Sequence, residues 1–241
     1  ALRVFPNLYP WLNEHRNVVE TSSHKFTLAE LDVEEEANAL RAVQELSRRF
    51  LGAGLFPVIF KNQGFGASIY HYHWQAGALP RLPTRILREM GIASGFLDRW
   101  KKNIFDAIIE SERRRGVRVV ADTSRVFVLA PFSPRTNGEV WLICKNPVVN
   151  LVEFEGRDLE LFATLLVEVL KALSTELKIE NLCVVLNQVP MDPAYRLHVK
   201  VLPFKSWAGG ERGFDEYSVE VAPERVAAAL GPVLRSREVI S

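Results

Sequence analysis

The same order of elements is written twice along this chain of 241 residues. A helix is expected over 32–51, where Val33, Ala37, Leu40, Val43, Leu46 and Phe50 recur at helical spacing. A second is expected over 158–177, with Phe162, Leu165, Val169, Leu173 and Leu177 on one face. Two strand-like runs follow each helix, at 56–61 and 69–75 in the first case and at 182–187 and 196–203 in the second. Val58-Ile59-Phe60-Lys61-Asn62-Gln63 resembles Val184-Val185-Leu186-Asn187-Gln188, and His71 then finds a counterpart in His198. A strand, helix, strand, strand unit used twice implies an α+β fold in which two similar halves share one antiparallel sheet or half-barrel with flanking helices.

The punctuation supports this division. Asp32 and Glu35 form a capping-box pattern at the first helix start, and Gly52 and Gly54 supply its stop. A short strand is expected at 16–20, and further strands at 117–121, 126–130 and 139–144. The joining segment 76–116 carries one amphipathic helix near 98–115, whose end is marked by Arg113-Arg114-Arg115. The two units are expected to be 1–97, which holds the chemistry-bearing motif, and 98–241.

Composition narrows the partners. Thirty basic and 29 acidic residues leave a net charge of +1, so neither a nucleic acid nor an anionic membrane is an expected partner. No apolar run is long enough to span a bilayer. The two cysteines, Cys144 and Cys183, sit inside apolar runs and are expected to be buried free thiols, which fits a reducing cytoplasm.

The chemistry concentrates in His71-Tyr72-His73-Trp74-Gln75 and the glycine-rich turn before it, Asn62-Gln63-Gly64-Phe65-Gly66-Ala67-Ser68. If 69–75 is a strand, His71, His73 and Gln75 share one face, and Tyr70, Tyr72 and Trp74 share the other. One imidazole can act as nucleophile or base, a neighbouring one can orient it or hold a metal, and a glutamine can donate to a phosphoryl oxygen. Gly64 and Gly66 allow close backbone approach beside the Ser68 hydroxyl, as a phosphate-cradling loop requires.

These residues resemble the histidine-triad superfamily, and within it the galactose-1-phosphate uridylyltransferase family. The likeness runs from Phe5-Pro6-Asn7-Leu8-Tyr9-Pro10 through Val18-Val19-Glu20-Thr21, His24 and the His71 to Gln75 motif, and on to Leu197-His198 and Gly209-Gly210-Glu211. Gln75 stands where hydrolases of the superfamily carry a third histidine, so it points to the transferases and phosphorylases. The resemblance implies duplicated histidine-triad-like units. It also implies a ping-pong reaction in which His73 takes a nucleotide from a UDP-sugar and passes it to a second sugar 1-phosphate. His71 would be the orienting or metal-side partner of His73, Gln75 and Ser68 would bind the non-bridging phosphoryl oxygens, and Asn62 and Gly66 would serve the nucleotide and phosphates. Lys205 and Glu211 would hold the sugar phosphate across a homodimer interface.

The resemblance also implies a structural zinc with His24 and His71 among its ligands, and no organic cofactor. The cysteine pair that completes this site in relatives is missing here, so either a preceding segment is absent from the chain or the site is lost or rebuilt. A second metal position would use Glu89 and His198, but Lys200 stands where a histidine ligand belongs, and an ammonium cannot coordinate. Tyr72 and Trp74 replace smaller residues of the family motif, and Gly210 replaces an aromatic one, which leaves the identity of the sugar open. Two other readings remain at this point: a phosphorylase of dinucleoside polyphosphates or ADP-linked compounds, and a nucleotide-binding module without turnover.

Overall fold

The computed structural model describes residues 2–21, 23–24, 27–64, 71–204 and 216–236. Among the described residues nine strands form one antiparallel sheet: β1 Arg3–Pro6, β2 Asn13–Val19, β3 Phe56–Gln63, β4 His73–Leu79, β5 Val119–Asp122, β6 Val126–Leu129, β7 Val140–Cys144, β8 Leu182–Asn187 and β9 His198–Pro203. Their order across the sheet is β1-β2-β4-β3-β8-β9-β7-β6-β5. The central six read the same from either direction. The β2-β4-β3 half meets the β8-β9-β7 half at the antiparallel β3 to β8 seam, where Phe60 opposes Val185 and Asn62 opposes Cys183. The expected α+β class with an antiparallel sheet and flanking helices therefore holds.

Among the described residues five α-helices flank the sheet: α1 Val33–Gly52, α2 Thr84–Trp100, α3 Ile104–Arg115, α4 Gly156–Leu177 and α5 Pro223–Ser236. The Asp32 carboxylate starts α1 by accepting from Glu34 N at 2.9 Å and Glu35 N at 3.0 Å. The apolar stripes of α1 and α4 pack on the back of the sheet, where Leu40, Val43, Phe50, Phe162, Leu166 and Leu173 meet Ile59, Trp74, Val184 and Val201. Helix α5, on which no expectation was placed, joins them with Val226, Leu230 and Leu234. Helices α2 and α3 lie on the front, where Ile86, Phe105 and Ile109 cover Phe56, Phe127, Ile143 and Tyr195. Front cover is thus concentrated on the second half.

Several boundaries differ from the expected ones. The single helix near 98–115 is two helices, because Lys101 takes a left-handed conformation (φ 53°) that ends α2, and the Asn103 side chain caps Phe105 N at 2.9 Å to begin α3. The three arginines do occupy the last turn of α3, ahead of Gly116. The strand expected at 69–75 begins only at His73, where pairing with Val19 of β2 starts. His71 consequently lies ahead of the strand and does not share its face with His73 and Gln75. Of the thiols, Cys144 is buried as expected and Cys183 is half-buried. No helix among the described residues is long and apolar enough to cross a membrane.

Candidate active site

His73 opens β4, and its ring Nδ1 lies 2.7 Å from the His71 carbonyl oxygen. A carbonyl only accepts, so this contact places the proton on Nδ1 and the lone pair on Nε2. Nε2 is buried and, among the described residues, has no hydrogen-bond partner. Burial is the largest influence on the ring and lowers its pKa; the His71 carbonyl opposes that shift, and the positive charge of Lys61 adds to it. The result is a neutral imidazole with a bare, directed nitrogen.

Two residues on, Gln75 shares the front face with His73. Its Oε1 accepts from Asn7 Nδ2 at 3.3 Å. The Asn7 amide is itself fixed, because Asn7 Oδ1 accepts from Tyr9 N at 2.9 Å while Nδ2 also donates to Asn17 Oδ1 at 3.1 Å. With its oxygen held this way, the Gln75 amide offers its NH2 end to an incoming acceptor. His15 of β2 stands in the same group, with Nε2 3.4 Å from Asn7 Nδ2 and a buried Nδ1 that has no partner among the described residues. Trp11, largely exposed, and Phe60 flank His15, with ring centroids 5.8 Å apart. The chain carrying Asn7 and Trp11 can cross the front of β4 only because residue 77 is glycine: a Cβ there would meet Leu12 Cβ at 2.6 Å.

Asn62, at the end of β3, lies two residues beyond Phe60, which opposes Gln75, so it belongs to the same front surface. Gly64 follows at φ +77°, and a Cβ there would strike the Asn181 side chain at 1.9 Å, so only glycine can make this turn. Gly66, Ser68, Lys205 and Glu211 lie outside the described residues. His24 and His71 do come together, their rings edge to face at 5.0 Å. A tetrahedral structural zinc needs four donors, and no group of three His, Cys, Asp or Glu residues placed to hold a metal occurs among the described residues. The described donor set is therefore short of the four that such a site needs.

The second half shows what this scaffold looks like when closed. His198 opens β9 as His73 opens β4, and its Nδ1 contacts the Arg196 carbonyl at 2.9 Å, again two residues earlier. The counterpart of His198 is therefore His73, not His71. Its Nε2 faces Glu89 Oε2 at 3.8 Å, and Glu89 is bonded in turn by Lys200 and, at 3.0 Å, by the Tyr195 hydroxyl. Phe105, Tyr195 and Trp141 pack around the ring. Burial first, and then the Lys200 charge, push the His198 pKa down to about 3.

Behind the first half lies a cluster on which no expectation was placed. Lys61 is buried between Glu20 and Glu36; it bonds Glu20, and Glu36 Oε2 at 2.6 Å. Glu36 Oε1 accepts from Trp74 Nε1 at 2.8 Å, and Lys61 Nζ sits 4.9 Å and 5.0 Å from the Tyr72 and Trp74 ring centroids. The side on which Tyr72 and Trp74 pack thus carries buried charge. One signal was visible in the sequence: Glu36 falls on the apolar stripe of α1 between Val33 and Leu40, and Lys61 interrupts an apolar strand.

Burial, followed by the nearby Glu36 carboxylate, pushes Glu20 up to about 8, while the two carboxylates outweigh burial and hold Lys61 above its ordinary value. Unfolded, Glu20 would release its proton near 4.5, so between 4.5 and 8 the folded chain keeps a proton the unfolded chain has lost. Stability from this group therefore falls as pH rises through that window. His15, His73 and His198 act in the opposite sense: burial depresses each below 6.5, so their contribution is present above that pH and lost below it. Stability should peak near pH 6.5 and drop by about 2 kcal/mol toward pH 8, a drop that Glu20→Gln removes. Urea unfolding of both proteins at the two pH values measures it; parallel losses in both would contradict the assignment.

No protein-family model matches the chain. It is 30% identical to the galactose-1-phosphate uridylyltransferase of Thermotoga maritima over 155 residues, which are 62% of this chain and 48% of that protein. The chain thus spans about half the length of the curated relative it matches. Among solved structures, a uridylyltransferase superposes with a TM-score of 0.89 at 24% identity, covering 98% of this chain and 85% of its own. An ADP-glucose phosphorylase from Arabidopsis thaliana, with ADP-glucose bound, superposes at 0.84 and 22% identity, covering 95% and 81%. A protein described as galt-like from the same plant gives 0.85 at 23%, covering 95% and 83%. These likenesses establish the fold, and the resemblance to the galactose-1-phosphate uridylyltransferases read from the residues holds in sequence and in fold.

Proposed function

We propose that this chain is a nucleotidyltransferase that moves UMP between a UDP-hexose and a hexose 1-phosphate through a covalent intermediate on His73. The observation that carries this reading is the His73 imidazole, neutral, with its proton directed to the His71 carbonyl and its buried Nε2 left bare. Nε2 attacks the α-phosphorus of UDP-glucose; a P–N bond forms as the bond to the glucose 1-phosphate oxygen breaks. A phosphate oxygen of the second hexose 1-phosphate then attacks the same phosphorus, and Nε2 regains its lone pair. The Gln75 amide donates to a non-bridging oxygen through both steps, stabilising the charge that builds there. Asn62, Gly66 and Ser68 serve the nucleotide and phosphates, and Lys205 and Glu211 the sugar phosphate across a homodimer. The same reading places the enzyme in the cytoplasm and gives His24 and His71 to a structural zinc whose other ligands lie elsewhere.

A second reading, supported by the fold shared with the ADP-glucose phosphorylase, keeps the His73 chemistry and changes the partners to an ADP-linked sugar and phosphate. Both are tested by incubating the protein with UDP-glucose or ADP-glucose alone and detecting the nucleotidyl adduct by mass. A uridylyl adduct discharged by galactose 1-phosphate is the expected result. An adenylyl adduct discharged by inorganic phosphate supports the second reading. Tight binding of both nucleotides with no adduct from either would leave a binding module and overturn both.

A further inference from the structure

We propose that the cluster Glu20, Lys61, Glu36 and Trp74 is the positioning device of the candidate site, setting from behind the sheet where His73 and Gln75 stand on its front. The placement is specific. Trp74 sits between His73 and Gln75, Lys61 sits between Phe60 and Asn62, and Glu20 follows Val19, which opposes His73 in register. One ammonium ties the end of β2 to α1, and Glu36 passes the tie to β4 through the Trp74 indole. Backbone alternates faces, so a shift of the Trp74 side chain turns the peptide planes that carry both site residues.

The duplication supplies an internal control. Cys144 follows Ile143, the partner of His198, as Glu20 follows Val19, the partner of His73. Leu186 precedes Asn187 as Lys61 precedes Asn62, and Val199 follows His198 as Trp74 follows His73. Glu36 and Leu159 are each the fourth residue of their helices. The four charged or polar positions of the first half are therefore cysteine, leucine, leucine and valine in the second, all buried. The fold itself is satisfied by apolar side chains at these places, and buried charges are costlier than such side chains. The charged set occurs behind the histidine whose Nε2 lacks a partner among the described residues and is missing behind the one whose Nε2 faces Glu89. A fully bonded polar network admits one arrangement where an apolar contact tolerates several. Burial and Glu36 keep the Glu20 proton in place near neutrality, so the cluster balances one ammonium against one carboxylate.

This inference rests on the reading of His73 as nucleophile, and two variants of the full chain test it. Trp74→Phe removes only the indole donor and a part of the ring. The triple variant Glu20→Gln, Glu36→Gln, Lys61→Met removes all charge at nearly constant shape and keeps an acceptor for Trp74. Both should fold, bind UDP-glucose as wild type does and form the His73 adduct more slowly by on the order of 100-fold, the cost of a misplaced reacting group. Nitrogen relaxation of the Gln75 side-chain amide, which needs no turnover, should show it newly mobile, with the Asn187 amide of the second half unchanged. Wild-type adduct rates and a rigid Gln75 in the variants would overturn the proposal. If the wild type forms no adduct, the reading of His73 falls, and the Gln75 and Asn187 amides alone decide: a selective loss of order upholds the positioning role, and unchanged order refutes it.

Discussion

His73→Ala is expected to abolish the nucleotidyl adduct and to lower transfer at least about 10⁴-fold, as removal of a covalent nucleophile does. The expectation follows from what the imidazole is in this fold. Its Nδ1 is committed to a carbonyl and its Nε2, among the described residues, to nothing, so the valence it has to use is the one an electrophilic phosphorus would meet. Among the described residues no other side chain on the front of the first half or at its seam with β8 offers a comparable group. His15 is buried beneath Trp11 and Phe60 and linked to Asn7, and the half-buried Cys183 thiol is pushed up to about 12 by burial. The measurement is single-turnover transfer from labelled UDP-glucose, with circular dichroism to show that the variant is folded. Transfer by folded His73→Ala at more than a tenth of the wild-type rate would remove His73 from the chemistry.

The second large effect concerns stability. Lys61→Met should destabilise the chain by about 3–5 kcal/mol, because it leaves two buried carboxyl groups against each other without their cation. For a chain of this size that corresponds to a drop in Tm of roughly 6–20 °C. Neutralising both acids in the same chain, with Glu20→Gln and Glu36→Gln, should recover most of the loss, since the damage lies in the uncompensated charge and not in the missing methylenes. Thermal unfolding of the single and triple variants at pH 7 gives both numbers. A Lys61→Met protein that unfolds within about 1 kcal/mol of wild type would mean that the carboxyl groups find relief elsewhere.

The sequence carried the parts of this molecule that depend on local periodicity. The stripes of α1 and α4 are strong because each buries one face on the sheet, and the β8 run 182–187 matches its strand residue for residue. His73 and Gln75 could be singled out because two residues on a strand share a face. What was lost depended on contacts between distant positions. The start of β4 is fixed by pairing with β2, so the alternation that seemed to include His71 stops short of it. The break at Lys101 is a single left-handed residue with no glycine to announce it. Glu36 and Lys61 each stand out as a charge in an apolar pattern, but nothing in their own segments ties them to Glu20 and Trp74; only the closing of α1 over β3 and β4 brings the four together. The likeness of the halves was visible, but its histidine was matched one alternation too early.

Gly77 is the plainest residue of β4, and it governs the space above its neighbours. Because no atom projects from it, Leu12 can rest on the sheet, and the peptide from Asn7 to Trp11 is drawn down to the level of Gln75. Matter added at that point would not fill the site but lift its wall away, parting the Asn7 amide from the oxygen it holds. The reach of the front loop is therefore set by an omission, and the strand that displays the reactive nitrogen also decides, four residues later, how near the surrounding chain may come.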